Sequence, residues 1–550
     1  MIEDGRIPSI LYRVFIRGSF MTKYVLKRLL RGFVSLFIVV AIVMLLIFTC
    51  IDRNLIFATD SLYSRQAGNE KEVYKMKQWE KYGYVDFIDF ESDFLKEMTD
   101  SGKISESDQK QVRIGIGPTA DKDKKITAGY VKYFKDKYEK EGYTFVRIDG
   151  KNPQKKKNRY LYKRGDAPEI FAYKNIPLTN RMADYFLGIL DFDNIHYVED
   201  DIKDRGLEFT LKDPAYGGDK FAPAIMGNGT RHKYLLYFDS TFPYLHQNFV
   251  NVNLGTSYSV NKGIDVFTTM TESQGSQRKT MVFYPTGLSE MSADNIHTAT
   301  YVSGSLANGT NVITDRYTDD YTNIELNKDG FSRVGYSFVI GIISVVLAYI
   351  LAIPLGVLMA LKKDKFIDKL GTLYIVFIIA VPSLAYIFLF QSIGGKIGMP
   401  TTFDVVKPTW LMYVLPIISL ALPSVANLMK WLRRYMIDQM NSDYVKFARS
   451  GGLSEGEIFR KHILKNALIP IVHGIPGSIL GALVGAIITE RVYTVPGAGN
   501  LLTKAINAYD NSVIVGLTLF YGLLTVVSII LGDVLMSLVD PRINFTSKGR

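Results

Sequence analysis

Six stretches of the chain carry no charged residue and are dominated by aliphatic and aromatic side chains: 32–51, 334–361, 370–395, 408–429, 466–489 and 511–532. A helix needs about 20 mainly apolar residues to cross roughly 30 Å of hydrocarbon, so each stretch predicts a transmembrane helix. Between the first and second lies 52–333, where charged, tyrosine-rich and apolar patches alternate. There, 130–141 has the spacing of a Lys-rich amphipathic helix and 143–148 alternates like a strand. Stretches 235–238, 281–284 and 304–314 suggest further strands and turns. A segment of this size can bury its own core. The pattern therefore predicts a polytopic α-helical membrane protein of six spans, with an α+β domain inserted between helices 1 and 2.

Composition adds little until it is divided. Over 550 residues, 47% are apolar and 22% charged, averages that conceal the mixture of spans and polar domain. A purely soluble or disordered chain is excluded. The net charge of +11 invites a nucleic-acid reading, but residues 52–330 hold 38 Lys+Arg against 41 Asp+Glu. The excess flanks the apolar stretches instead of forming a basic face on a folded domain, which excludes that class.

The same charges predict orientation. Segments 1–31, 362–369, 430–465 and 533–550 carry 7, 4, 8 and 3 Lys+Arg, whereas the short loops 396–407 and 490–510 carry 2 each. Cytoplasmic loops concentrate Lys and Arg, so both termini are expected in the cytoplasm and 52–333 outside the cell. The first stretch follows Lys23, Lys27, Arg28 and Arg31 and ends Leu46-Ile47-Phe48-Thr49-Cys50, faintly like a lipoprotein cleavage site. Phe48 and Thr49 stand where small residues belong, so a retained helix is expected. Residues 1–20 read either as a short cytoplasmic tail or as a stretch preceding the true start at Met21.

Chemistry is sparse. One cysteine, Cys50, excludes an intramolecular disulfide framework, and the six histidines (His196, His232, His246, His297, His462, His473) form no metal-ligand spacing. No phosphate-binding GxxxxGK[ST] stretch occurs, so any ATP used must be bound by a partner. The Lys-rich run 155–159 reads as a solvated loop.

The informative loop is 430–465. Tyr444, Phe447 and Ala448 share a helical face by their spacing, and Gly451-Gly452 ends that helix. Ser454 then caps a second helix, with Glu457 completing a capping box. A compact, basic helical hairpin between two spans can dock rigidly into another protein, or lie as an amphipathic loop on the membrane surface.

This loop resembles the EAA-type coupling loop of ABC importer permeases, in the form found in the oligopeptide/dipeptide group: D-Y-V-x-x-A-R-x-x-G-L-S-E, then H-x-L-x-N-A-L-I-P. Asp443, Tyr444, Val445, Ala448, Arg449, Gly452, Leu453, Ser454 and Glu455 match the first part, and His462, Leu464, Asn466 and Ala467 through Pro470 the second. Lys446 stands where the general family has glutamate. Further stretches resemble the same group in family order: Asn253-Leu254-Gly255-Thr256-Ser257-Tyr258, Ile353-Pro354-Leu355-Gly356-Val357, Glu490-Arg491-Val492-Tyr493 through Pro496-Gly497-Ala498-Gly499, and Asp533 through Asp540-Pro541-Arg542-Ile543. The insertion, roughly 60–240 plus part of 270–330, has no counterpart in the minimal pattern.

The resemblance implies a B-type permease subunit of an oligopeptide importer, similar to the Opp/Ami systems of Gram-positive bacteria. It implies a non-catalytic subunit without a bound cofactor, ATP and Mg being used by partner subunits. The implied partners are a companion permease forming a heterodimer, two nucleotide-binding ATPase subunits and an extracellular peptide-binding lipoprotein. The implied ATPase-coupling residues are Asp443, Tyr444, Ala448, Arg449, Gly452, Leu453, Ser454, Glu455 and His462. Pro354, Pro382, Glu490, Pro496, Gly497 and Asp533 are candidates for the pathway or its gating. An intramembrane carboxylate such as Asp533 is a functional candidate by default, although a structural contact suits it equally; His473 reads as a hydrogen-bonded packing residue ahead of a proton relay. Pro416, Pro423, Pro470 and Pro476 are hinges or mere kinks. In a chain of bacterial appearance the acceptor patterns Asn228-Gly229-Thr230 and Asn308-Gly309-Thr310 carry no weight. Two alternatives stay open: a membrane-anchored receptor or adhesion protein working through its outer domain, and an importer of nickel or another small solute.

Overall fold

A computed structural model describes residues 9–157, 159–238, 245–304 and 310–539, with side chains from residue 24 onward except Tyr216. The closing motif Asp540-Pro541-Arg542-Ile543, the acceptor Asn308-Gly309 and part of the 304–314 turn lie outside the described residues. Among those described, five helices are long and apolar enough to cross a membrane, and a bent pair adds a sixth crossing if taken as one span.

The first helix, Ser9–Cys50, begins well before the apolar stretch, and its membrane-crossing part is Tyr24–Cys50. It packs antiparallel to the last helix, Asn511–Val539. Gly32 lies against Val526 and Gly522 against Leu36, so the missing side chains let the two backbones approach. The second helix, Arg333–Leu361, runs unbroken through Pro354, with Ser332 accepting the Gly335 N–H as its cap. The fourth, Leu411–Met440, passes through Pro416 and Pro423 and outruns the apolar stretch, carrying Lys430, Arg433 and Arg434 beyond it.

Two of the apolar stretches are not single straight helices. The third is two helices, Phe366–Ala380 and Ser383–Lys396, which meet at 106°. Pro382 lacks an N–H and disfavours helix at the preceding Val381, which is extended at ψ 128°. The fifth is divided into Lys465–His473 and Ile475–Val492 around Gly474, and only the second piece is long and apolar enough to span. Asp368 and Arg433 hold the third span to the fourth through a paired contact of 2.5 and 2.6 Å.

The inserted domain has two parts. In the first, an antiparallel sheet places Glu169–Asn175 between Val85–Asp89 and Thr144–Ile148, with Phe87 opposite Tyr173 and Phe145 opposite Ala172. The helix Lys125–Lys140 turns Phe134 and Tyr138 onto Phe90, Phe94 and Leu95 to close its core. In the second, Gly206–Thr210, Ala224–Asn228, Tyr234–Phe238 and Leu245–Gln247 form a four-stranded antiparallel sheet in that order. Its core joins Tyr234 and Tyr237 to Val282, Tyr284 and Ile296. Residues 311–316 form a helix where the composition suggested strand and turn.

The domain returns to the helical bundle through 253–270. Leu254, Val266 and Met270 pack on Leu501, Ala505, Val513 and Leu517. The carboxylate of Asp510, fully buried, accepts hydrogen bonds from the Ser257 hydroxyl (2.8 Å), the Tyr258 N–H (3.1 Å), and the Ser259 N–H (2.9 Å) and hydroxyl (2.8 Å). The stretch that resembles a family motif is thus the foot of the inserted domain.

Candidate functional site

The hairpin grows out of the fourth span. After Met440, Ser442 precedes a short helix, Asp443–Ser450, and Tyr444 donates a hydrogen bond to Gln439 at 2.6 Å, tying the hairpin to the span. The helix closes with the Gly451 N–H on Phe447 O, the Gly452 N–H on Arg449 O and the Leu453 N–H on Ala448 O. That closure needs a left-handed residue, and Gly452 supplies it at φ +81°. Ser454 then caps the next turn through a complete capping box with Glu457. The following turns, Ile458–Leu464, are wound as a π-helix, one residue wider per turn than the expected α-helix.

One side of the hairpin is fused into the bundle. Val445, Ile458 and Ile463 are buried against Ala360, Leu432, Met436 and Ala467, with Tyr444 and Ala448 partly buried beside them. Phe447 does not join this face: it is 76% exposed, and Leu453 is partly exposed too. An eight-residue helix has barely two turns, so the neighbours Leu432 and Met436 decide its packed side, and they select Val445. Arg449 grips Glu455 across the turn with contacts of 2.6 and 3.0 Å, and Lys446 meets Asp443 at 2.9 Å. These pairs hold the Glu455 and Asp443 carboxyls below, and the Arg449 guanidinium above, their ordinary ranges. All are exposed, so they set geometry more than stability. The His462 ring lies 6.4 Å from that of Tyr444.

Above the hairpin, a cavity of about 730 Å³ opens between the second to fifth spans. Tyr349, Ser424, Asn427 and Ser478 present polar groups to it, and Tyr386 and Trp431 flat aromatic surface. Among the described residues, no Asp, Glu, Lys, Arg or His lines it. Gly477 and Gly481 face open space, where an added Cβ would meet nothing within 4 Å, so they widen the chamber. The sequence held a signal for this wall in the four-residue spacing of Gly477, Gly481 and Gly485 on one helical face.

The remaining candidates lie elsewhere. Glu490 is fully buried, takes hydrogen bonds from the Ser337 hydroxyl (2.5 Å) and the Asn500 N–H (2.8 Å), and lies against Gly497, where a Cβ would collide with it. It therefore anchors Pro496-Gly497 and the start of helix Ala498–Asn507 to the second span. Asp533 accepts the Tyr24 hydroxyl at 3.0 Å and meets Arg28 at 3.1 Å, joining the first and last helices. His473 contacts Gly532 O at 2.9 Å, a packing role. Pro354 lies within an unbroken helix and Pro382 at the break of the third span. Asp510, whose partners are remote in sequence, was not among the candidates at all. Among the described residues no cluster could hold a metal ion.

Residues 352–545 match the family model for the binding-protein-dependent transport system inner membrane component. Over 536 residues the chain is 36% identical to the oligopeptide transport system permease protein AmiC of Streptococcus pneumoniae, covering 96% of this chain and 100% of that protein. The chain belongs to this permease family. The dipeptide transport system permease protein DppB of Bacillus subtilis is 30% identical over 214 residues, covering 39% of this chain and 69% of its own. The oligopeptide transport system permease protein AppB of the same species is 30% identical over 225 residues, again 39% of this chain and 71% of its own. The AmiC alignment spans the inserted domain as well as the bundle, so the insertion is shared with that permease. The protein is a multi-pass membrane component of the ABC importer type with an extra α+β domain, and the receptor and adhesion readings fall away.

Proposed function

We propose that this permease forms half of the translocation pathway of an ATP-driven oligopeptide importer, with the hairpin 441–464 as the element that couples it to partner ATPases. The observation that carries the reading is the two-sided hairpin: one face is continuous with the core of the spans, while Phe447 and Leu453 stand free on the other. A rigid knob fused to the bundle can pass a partner's movement to the cavity walls, since Ala467 and Ile471 of the fifth span share the hairpin's core.

Membership of the family supports the partners proposed: a companion permease supplying the other half of the pathway, two ATPase subunits that use ATP and Mg, and an extracellular peptide-binding lipoprotein. The residues proposed to meet the ATPases are Tyr444, Ala448, Arg449, Gly452, Leu453, Ser454, Glu455, His462 and Asp443, with Phe447 added from the structure. Peptide is the preferred cargo over nickel or another small solute. A chamber lined by hydroxyls, an amide and aromatic faces, without fixed charge, suits a backbone that bears side chains of either sign. In this orientation both termini and the hairpin are cytoplasmic and 52–333 is extracellular.

The test uses the single native thiol. With Cys50→Ser as background, Leu453→Cys or Ser454→Cys should cross-link to a nucleotide-binding subunit, and the yield should change with bound nucleotide. Reaction only with lipid-soluble reagents would make the hairpin a membrane-surface helix and overturn the coupling role.

A further inference from the structure

One helix of the outer domain does not stay outside the membrane-crossing layer. Leu178–Gly188 follows Pro177 and leans on the first span, packing Met182, Tyr185 and Phe186 with Leu36, Val40, Met44, Ile47 and Val515. The ring of Phe186 lies 4.2 Å from that of Phe37. Phe37 is 13 residues before the end of the helix at Cys50, a distance of about 20 Å along the helix axis. This contact falls within the part of the first helix apolar enough to cross a membrane, Tyr24–Cys50. The short helix thus shares the depth of the hydrocarbon.

Its ends and faces fit that depth. Near the start, the Arg181 guanidinium lies 3.9 Å from the ring centre of Phe48 and 4.0 Å from that of Tyr84, an amphipathic anchor where the first span ends. Past the helix, Leu190–Phe192 pairs with Val250–Val252 and leads back into the domain. The outward side of this turn is apolar: Leu187 is 82% exposed, Leu190 and Phe192 53% each. The two carboxylates of the segment, Asp184 and Asp191, are exposed, and each has a basic residue nearby. Asp184 lines a cavity with Lys81, Tyr82 and Ser512, and Asp191 meets Arg231 at 3.8 Å.

We propose that residues 178–192 are inserted in the lipid leaflet on the outer domain's side, with acyl chains as the occupant of the surface formed by Leu187, Leu190 and Phe192. The continuity with the first span decides the occupant. The exposed faces of Phe37, Ile38 and Ile42 belong to a membrane-crossing helix, and the Phe186–Phe37 contact extends that same apolar surface without a polar break. Exposure of side chains as large as these to water is costly, and burial in hydrocarbon removes the cost. The outer domain is then seated in the bilayer by this turn, in addition to the staple at Asp510.

The test places single cysteines in the full chain on a Cys50→Ser background, reconstituted into vesicles. Leu187→Cys and Phe192→Cys should resist a sulfonated, membrane-impermeant maleimide, whereas Lys156→Cys on the exposed strand Gln154–Lys156 reacts fully in the same preparation. A bimane attached at Leu187→Cys through a lipid-permeant reagent should lose fluorescence in vesicles of brominated phosphatidylcholine. Rapid labelling of Leu187→Cys by the impermeant reagent overturns the proposal. Protection without quenching by brominated lipid also overturns it, by showing that another protein covers the turn. Leu187 is 82% exposed, so its substitution should leave the fold intact, and the Lys156→Cys reaction reports that the domain is present and accessible.

Discussion

The hydroxyl of Ser337 on the second span lies 2.5 Å from the buried carboxylate of Glu490 at the end of the fifth, and accepts the Ala498 N–H at 2.9 Å on its other side. Two spans and the helix Ala498–Asn507 meet at one oxygen. The Glu490 carboxylate also takes the Asn500 N–H at the start of that helix, where the peptide dipoles favour negative charge.

Ser337→Ala should leave the Ala498 N–H and one carboxylate lone pair buried without a partner, at a cost of about 1–3 kcal/mol. The expected readout is a lower melting temperature in detergent and faster proteolysis within 493–507. An unchanged melting temperature would show that water or rearrangement replaces the hydroxyl without loss.

Gly452→Val should uncouple transport while sparing insertion. At φ +81° the strain is in the backbone, since an added Cβ would meet nothing within 4 Å. A β-branched residue there costs on the order of 1–3 kcal/mol. Membrane abundance should stay normal, with ATPase association and peptide uptake lost. Gly452→Asn, which tolerates the left-handed region, should retain much of the uptake. Normal uptake by the Val variant would remove the hairpin's geometry from the mechanism.

Protease added to intact cells should cut only within 52–333, if the flanking Lys and Arg set the orientation. Cleavage within 430–465 from outside would invert the topology.

Glu169, in the inserted domain, has its carboxyl pushed up to about 7 by burial and by the nearby charges of Asp89, Glu91 and Glu70. The folded state therefore holds a proton that the unfolded chain releases near pH 4.5, the ordinary glutamate value. Folded chains bind more protons across that window, so stability falls as pH rises from about 4.5 to about 7, then levels off. Glu169→Gln should flatten this decline, as read by pulse proteolysis of the outer domain between pH 5 and 8. A decline identical to that of the parent chain would assign it to other groups.

What the sequence revealed and what it hid divide along the range of the interactions. The apolar stretches, the Gly451-Gly452 stop and the Ser454–Glu457 capping box depend on neighbours within a few residues, and they were readable. The break at Val381–Pro382 carried a proline, but Pro354, Pro416 and Pro423 sit in continuous helices, so proline alone could not single it out. Packing chose Val445 over Phe447 for the buried face of a helix too short to fix one by periodicity. In the outer sheet the central strand, Glu169–Asn175, comes last in sequence, an order that no local pattern announces. Glu490 and Asp533 were found as residues, while their partners Ser337, Tyr24 and Arg28 emerged only in three dimensions. Asp510 was missed because its donors lie 251–253 residues away.

That separation also has a meaning in time. Ser257, Tyr258 and Ser259 leave the ribosome long before the residue that satisfies them, and at about 5–20 residues per second Asp510 follows roughly 10–50 s later. Until the last helix is made, the foot of the inserted domain has open donors and an incomplete counterpart for Leu254, Val266 and Met270. The outer domain is translated early, yet its junction with the bundle closes last. A chain stopped before Asp510 would carry the whole inserted domain with the donors at its base unanswered, so completing the chain and closing that junction are a single event.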